Sequence, residues 1–199
     1  MFGWGVNSHG QLGLGPSSIT SFISKPTSID CFTDRTCIQI ACSLTHSLFL
    51  INDGSIYSAG NNDYSQLGRQ GRTTIPGKFA SVRILFDFEL YLFVFADKVN
   101  LPENTDGVQV ACGQHFSACL TTTGKIIIWG SVSGKITNDD GLFFEKPEYV
   151  FYLFMHSKYE EFIFNNRYLE GFDDRRMIQI AAGYNHCLGL TDVNQLILL

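Results

Sequence analysis

Five histidines and six cysteines are the side chains of this 199-residue sequence best suited to acid–base, nucleophilic or metal chemistry. His46 and His186 stand at matching places, after Cys42-Ser43-Leu44-Thr45 and after Ala182-Gly183-Tyr184-Asn185. A residue that recurs once per unit holds the unit together, so both are expected to be structural. His9 falls in a Gly-rich turn and His156 in a Phe-rich stretch. Neither has a Cys, Asp or second His at ligand spacing, so no zinc site is expected. Cys31, Cys37, Cys42, Cys112, Cys119 and Cys187 form no CxxC knuckle and are too sparse for a secreted disulfide scaffold. They read as reduced, partly buried thiols. Asp139-Asp140-Gly141 reads as a turn, and Asp173-Asp174-Arg175-Arg176 as a solvated loop carrying its own counter-charges. There is no G-x-S-x-G elbow and no G-x-x-x-x-G-K-[ST] phosphate loop despite 19 glycines. The expectation is a protein with no catalytic residues, no cofactor and no metal.

The elements that position these residues come from a chain with 45% hydrophobic residues, enough for a sizeable core in about one domain. A net charge of −5 supplies no basic excess to neutralise a phosphate backbone, so nucleic acid is not an expected partner. Ile84–Ala96 is the most apolar run, but it is too short to span a bilayer and contains Asp87 and Glu89, so no membrane is expected. Met1 leads directly into Phe2-Gly3-Trp4-Gly5 with no signal-peptide pattern. The expected location is intracellular, in cytoplasm or nucleus.

Self-similarity organises the rest. Ile38-Gln39-Ile40-Ala41-Cys42-Ser43 recurs as Val108-Gln109-Val110-Ala111-Cys112-Gly113 and as Ile178-Gln179-Ile180-Ala181-Ala182-Gly183, each 70 residues on. Trp4-Gly5-Val6-Asn7-Ser8-His9-Gly10-Gln11-Leu12-Gly13 matches Ala59-Gly60-Asn61-Asn62-Asp63-Tyr64-Ser65-Gln66-Leu67-Gly68, with a partial copy at Trp129-Gly130. Within each unit, apolar runs flank a turn: Leu48–Ile51 and Ile56-Tyr57 around Gly54, and Ala118–Leu120 and Ile126–Trp129 around Gly124. Leu188–Leu190 and Leu196–Leu199 form a third such pair. Each reads as a β-hairpin.

The combination of I-x-I-A-C/A-G-x-x-H, a Gly-turn hairpin and W-G-x-N-x-x-G-Q-L-G resembles the regulator of chromosome condensation repeat. That resemblance implies an all-β fold, a partial β-propeller of about three antiparallel blades with two Phe-rich inserts. The units run over about residues 5–59, 60–129 and 130–199, within a single domain of residues 1–199. The implied structural repeat positions are Trp4, Gly5, Gln11, Gly13, His46, Gly54, Gly60, Gln66, Gly68, Gly113, Gly124, Trp129, Gly130, Gly183 and His186. Departures from the pattern are Ser43 for the bend glycine, Phe116 for the histidine with His115 one place early, Ala59 for the tryptophan, and loss of the G-Q-L-G tract after Trp129.

The inserts, about 69–107 and 131–177, hold 12 of the 17 phenylalanines. Three readings stand: extra strands, or an outer strand plus an excursion, packed on the neighbouring blade; a projecting partner-binding element, because exposed aromatic clusters mark interaction surfaces; or sequence that is not native coding sequence, for instance unspliced introns of an AT-rich genome.

The function expected from the residues and the resemblance together is a non-enzymatic protein–protein interaction module. The alternatives are a guanine-nucleotide exchange factor for a Ran-type small GTPase, or a piece of a larger repeat-containing protein such as a ubiquitin ligase. The expected partner is a protein, with a small GTPase implied by the resemblance. Three repeats should not close a ring alone, so a homodimer joined through the unpaired strands at Phe2–Gly5 and Leu196–Leu199 is also expected.

Overall fold

The computed structural model describes residues 1–15, 21–30, 32, 34–69, 97–136, 143–149, 176–193 and 196–198. The Ile84–Ala96 run, most of both inserts, Cys31, His156 and both acidic pairs lie outside them. Every regular element among the described residues is a β-strand.

Two strands open the chain, β1 (Phe2–Val6) and β2 (Phe22–Ser28), paired antiparallel. A four-stranded sheet follows in the order β3 (Cys37–Cys42), β4 (His46–Ile51), β5 (Ile56–Gly60), β6 (Asp97–Lys98). A second contains β7 (Gly107–Cys112), β8 (Phe116–Thr121), β9 (Ile126–Ser131) and β10 (Phe143–Tyr149). A third contains β11 (Met177–Ala182), β12 (Cys187–Thr191) and β13 (Leu196–Leu198). These are successive meanders of a partial β-propeller, with β6 and β10 supplying outer strands from within the inserts.

Two of the expected hairpins turn through a glycine that tolerates a left-handed backbone. Gly54 and Gly124 adopt φ of +82° and +78° between β4 and β5 and between β8 and β9, a conformation other residues resist. β4 and β8 are continuous apolar or small runs, not alternating ones, because both faces are covered: β8 lies between two sheets, while β4 has the next sheet on one face and Phe32 packed on Phe49 on the other. Leu48, Leu50 and Ile51 have no exposed surface and Phe49 is 2% exposed.

The core lies between the sheets. Leu48, Leu50 and Ile56 of the first four-stranded sheet meet Val110, Cys119, Ile127 and Trp129 of the next. Phe116, Ala118, Leu120, Ile126 and Ile128 then meet Met177, Ile180 and Cys187 of the third.

One irregularity repeats. The pairing of the inner strand with its neighbour shifts between Cys37 and Gln39, between Gly107 and Gln109, and between Met177 and Gln179. A bulge re-aims the side chain that follows it, and in all three sheets that side chain is a glutamine.

Candidate interaction surface

Gln39 and Gln109 use that orientation to tie one sheet to the next. The Gln39 carboxamide donates to the Val110 carbonyl at 3.2 Å and accepts from the Val110 N–H at 2.9 Å. Gln109 repeats this on Ile180, at 2.9 and 2.8 Å. A carboxamide has the donor and acceptor of a peptide group, so each glutamine satisfies both backbone groups of one residue on the neighbouring inner strand. The glutamines were absent from the repeat positions expected to be structural, although their threefold recurrence in I-Q-I-A was the available signal.

The G-Q-L-G tracts make a second tie. Gln66 accepts the Tyr64 N–H and donates to Asn61 Oδ1, while Asn62 Oδ1 accepts the Leu67 N–H. In the first copy His9 N–H goes to Gln11 Oε1 and Leu12 N–H to Asn7 Oδ1. So folded, the loop turns the Gln66 carbonyl toward the next sheet, where it accepts from Trp129 Nε1 at 2.8 Å and Ser117 Oγ at 2.7 Å. Gly68, at φ +65°, lies under the indole: a Cβ there would sit 2.8 Å from Trp129 Nε1. Gly13 holds the corresponding conformation at φ +68°, and Gln11 donates to the Leu44 carbonyl at 3.2 Å. Trp129 is fully buried, but Trp4 is 61% exposed. Trp4, which shares its motif position with Trp129, lacks a preceding G-Q-L-G loop to cover it among the described residues.

His46 is fully buried between Ser43 and Ser117. Ser117 gives its proton to Gln66, so it accepts from His46 Nε2–H at 3.0 Å, and Nδ1 faces Ser43 Oγ at 3.1 Å. Burial and then the nearby His115 lower its pKa to about 3. It is a neutral linker between sheets, unsuited to acid–base work near neutrality.

At the next copy Phe116 fills the position. Gly113 is required beneath it because a Cβ would fall 1.9 Å from the ring, and Gly183 stands in the same relation to His186, at 2.2 Å. Gly60, the last residue of β5, and Gly130, the last but one of β9, at φ +120° and +95°, lie where the adjoining bend presses closest. His186 itself is exposed. The displaced His115 stacks on Tyr64, ring centroids 4.1 Å apart.

These bends share one end of the molecule with the G-Q-L-G loops, because β4 and β5 meet there at His46 and Gly60, and β8 and β9 at Phe116 and Gly130. The bends are linked in succession: Ser43 Oγ reaches the Gln114 carbonyl, and the Gln114 N–H donates to the Tyr184 carbonyl at 2.9 Å. On this rim Leu44 is 72% and Tyr184 63% exposed. The opposite end carries the Asn52–Gly54 and Thr122–Gly124 turns and a polar cleft lined by Asp53, Ser55, Lys98, Asn104, Thr105 and Asp106. Hydroxyl and N–H donors from Ser55 hold the Asp53 carboxyl below its usual range, which stabilises a turn.

Among the described residues, no three His, Cys, Asp or Glu side chains gather as metal ligands. The described cysteines are free thiols, Cys119 and Cys187 being buried with pKa raised by desolvation to about 12 and about 11. No helix among the described residues is long and apolar enough to cross a membrane.

Antiparallel meanders of three or four strands tied side by side define a repeat-built β-propeller class. The regulator of chromosome condensation (RCC1) repeat profiles match residues 1–50 and 37–66, and the chain belongs to that repeat family. Its curated relatives include the human E3 ubiquitin-protein ligase HERC2, 24% identical over 98% of this chain and 3% of that protein. The mouse X-linked retinitis pigmentosa GTPase regulator is 32% identical over 70% of this chain and 12% of its own length. Protein pim1 of Schizosaccharomyces pombe is 27% identical over 70% of this chain and 26% of its own. The chain thus spans about a quarter or less of these relatives. Among solved structures, the yeast RCC1 protein Prp20 in complex with Kap60 aligns with a TM-score of 0.71 and 22% identity, over 99% of this chain and 39% of that one. Human WBSCR16 aligns with a TM-score of 0.67 and 20% identity, over 98% and 42%.

Proposed function

We propose that residues 1–199 act as one non-catalytic protein-binding module whose docking surface is the rim of inner-strand bends. The observation that carries this reading is the pair Leu44 and Tyr184, large side chains held in the open at repeat-equivalent positions by bends hydrogen-bonded to one another. A protein interface needs apolar anchors on a rigid frame, and aromatic anchors dominate such surfaces. The buried histidine and the loop glutamines serve the frame. Replacing Leu44 and Tyr184 together by Asp is expected to weaken partner binding at least tenfold while leaving the circular dichroism spectrum and melting temperature within error. Unchanged affinity would remove the rim as the docking surface.

A second reading is favoured by a specific likeness. A Saccharomyces cerevisiae Prp20p structure, TM-score 0.69 and 22% identity, is described with its binding to Gsp1p and histones. Applied here, the rim would engage a Ran-type small GTPase and promote nucleotide release without covalent chemistry. Release of a fluorescent nucleotide from such a GTPase separates the two: acceleration with chain concentration supports exchange, and a stoichiometric complex at the intrinsic rate supports binding alone. The HERC2 likeness favours a further form of the first reading, in which this module belongs to a larger ligase and recruits its partner.

A further inference from the structure

Histidine is concentrated at one end of the molecule. All four described histidines, His9, His46, His115 and His186, lie in or beside the bends and G-Q-L-G loops, whereas Asp53, Asp106 and Asp192 lie at the opposite end. His46 has both ring nitrogens committed to serines. His115 has neither. Its Nδ1 is buried without a hydrogen-bond partner, and Nε2, which is not enclosed, has none among the described residues.

The difference begins in the sequence. Phe116 takes the interior position that His46 fills one sheet earlier, and the histidine stands one place nearer the rim. Its ring is nevertheless fixed. It stacks on Tyr64 with centroids 4.1 Å apart, and a Cβ on Gly134 would stand 3.4 Å from its Cδ2. Stacking places the ring without a hydrogen bond, so its polar chemistry is left over for a ligand.

Two hydroxyls beside it are in the same state. Ser131 donates its N–H to the His115 carbonyl at 2.8 Å. The residue is 1% exposed, and its Oγ is buried without a partner, as is Ser133 Oγ. One sheet earlier the place of Ser131 belongs to Asn61, whose carboxamide is fully used: Oδ1 accepts from the Asp63 N–H and Gln66 Nε2, and Nδ2 donates to Asp63. Ser131-Val132-Ser133-Gly134 brings no carboxamide. Buried polar groups without partners are uncommon, and each calls for a water, an ion or a ligand to complete its bonding.

The donor set selects the ligand. An imidazole and two hydroxyls can all donate, and a carboxylate accepts several such bonds at once. Asp63 acts on the ring from the Tyr64 loop, neutral His46 lies behind it, and Lys135 follows Gly134. Partial burial holds the His115 pKa below its ordinary 6.5, with Asp63 pulling the other way, so the ring of the free chain is neutral near pH 7. Taking the rim as the docking surface, we propose that the partner protein places an Asp or Glu carboxylate against His115, which takes up a proton from solvent as the contact forms, with Ser131 and Ser133 supplying accessory hydroxyls.

The test titrates the full chain with the peptide acetyl-Gly-Glu-Glu-Gly-amide between pH 5 and pH 8, following the His115 ring nitrogens by NMR, with acetyl-Gly-Gln-Gln-Gly-amide as control. A net charge of −5 gives the chain no general attraction for the acidic peptide. The acidic peptide is expected to shift the His115 signals and raise their titration midpoint by about half a pH unit or more, which by linkage makes binding at least about threefold tighter at pH 5 than at pH 8. His115→Gln should abolish that pH dependence, and Ser131→Ala/Ser133→Ala should weaken binding at least about threefold, both with unchanged circular dichroism. Leu44→Ala/Tyr184→Ala should keep the His115 shift. No shift, an equal response to the glutamine peptide, pH dependence that survives His115→Gln, or indifference to the serine pair overturns the proposal. Each of these leaves the rim itself to stand or fall on partner binding by the Leu44 and Tyr184 variants.

Discussion

His46 shows how a side chain rich in chemical capability is committed to structure. Full burial removes water from the ring and the serine partners satisfy it as a neutral group, so the protonated form is excluded until about pH 3. In the unfolded chain the ring takes a proton near its ordinary value of 6.5. The unfolded state therefore binds more protons below that pH, and the contribution of His46 to stability is complete above 6.5 and falls as pH drops from 6.5 toward 3. The slope for one proton is about 1.4 kcal/mol per pH unit. Urea unfolding of wild type and His46→Gln between pH 7 and 5 should show a shallower decline for the variant by about that slope. Equal declines would mean that the ring is not held neutral. The recurrence of His46 at His186 made a structural histidine legible from sequence. Its neutrality was not, since it depends on Ser117 and Gln66, which lie 71 and 20 residues away and meet it only once the sheets stack.

At the scale of elements, the hairpins were legible because apolar runs and turn glycines are local signals. The link between hairpins was not. Gln39 sits between Ile38 and Ile40 and reads as the polar face of an alternating strand. Only the bulge before it and the adjacent inner strand turn it into a bridge. The same limit explains the two tryptophans. Trp4 and Trp129 share a motif, but burial comes from the preceding sheet's loop, which the motif does not encode. The glutamine bridge gives a direct prediction. Gln109→Ala strands the Ile180 N–H and carbonyl and should cost about 1–3 kcal/mol in chemical denaturation, with proteolysis within residues 177–198 accelerating before cleavage elsewhere. A loss below about 0.5 kcal/mol would show that water replaces the carboxamide without penalty.

Across the whole molecule, stacking in register does two things at once. It buries one core per sheet interface, and it brings the bends of all three inner strands to the same end, so that residues 70 apart in sequence become neighbours on one rim. The fold class followed from the family resemblance carried by the repeated motifs, and the repeat period gave the succession of hairpins. The rim followed only from the structure, since Leu44 and Tyr184 are unlike each other and fill the least repetitive place in their units. The turns at the opposite end, Asn52–Gly54 and Thr122–Gly124, are polar and well satisfied, which makes the two ends chemically distinct. Photo-crosslinking residues placed in turn at 44 and 184, and at 53 and 122, test this distinction most directly in the presence of a bound protein partner. The rim positions are predicted to yield covalent adducts with the partner and the turn positions none. Adducts formed from 53 and 122, or equally from both ends, would contradict the assignment of the inner-strand bends as the binding surface.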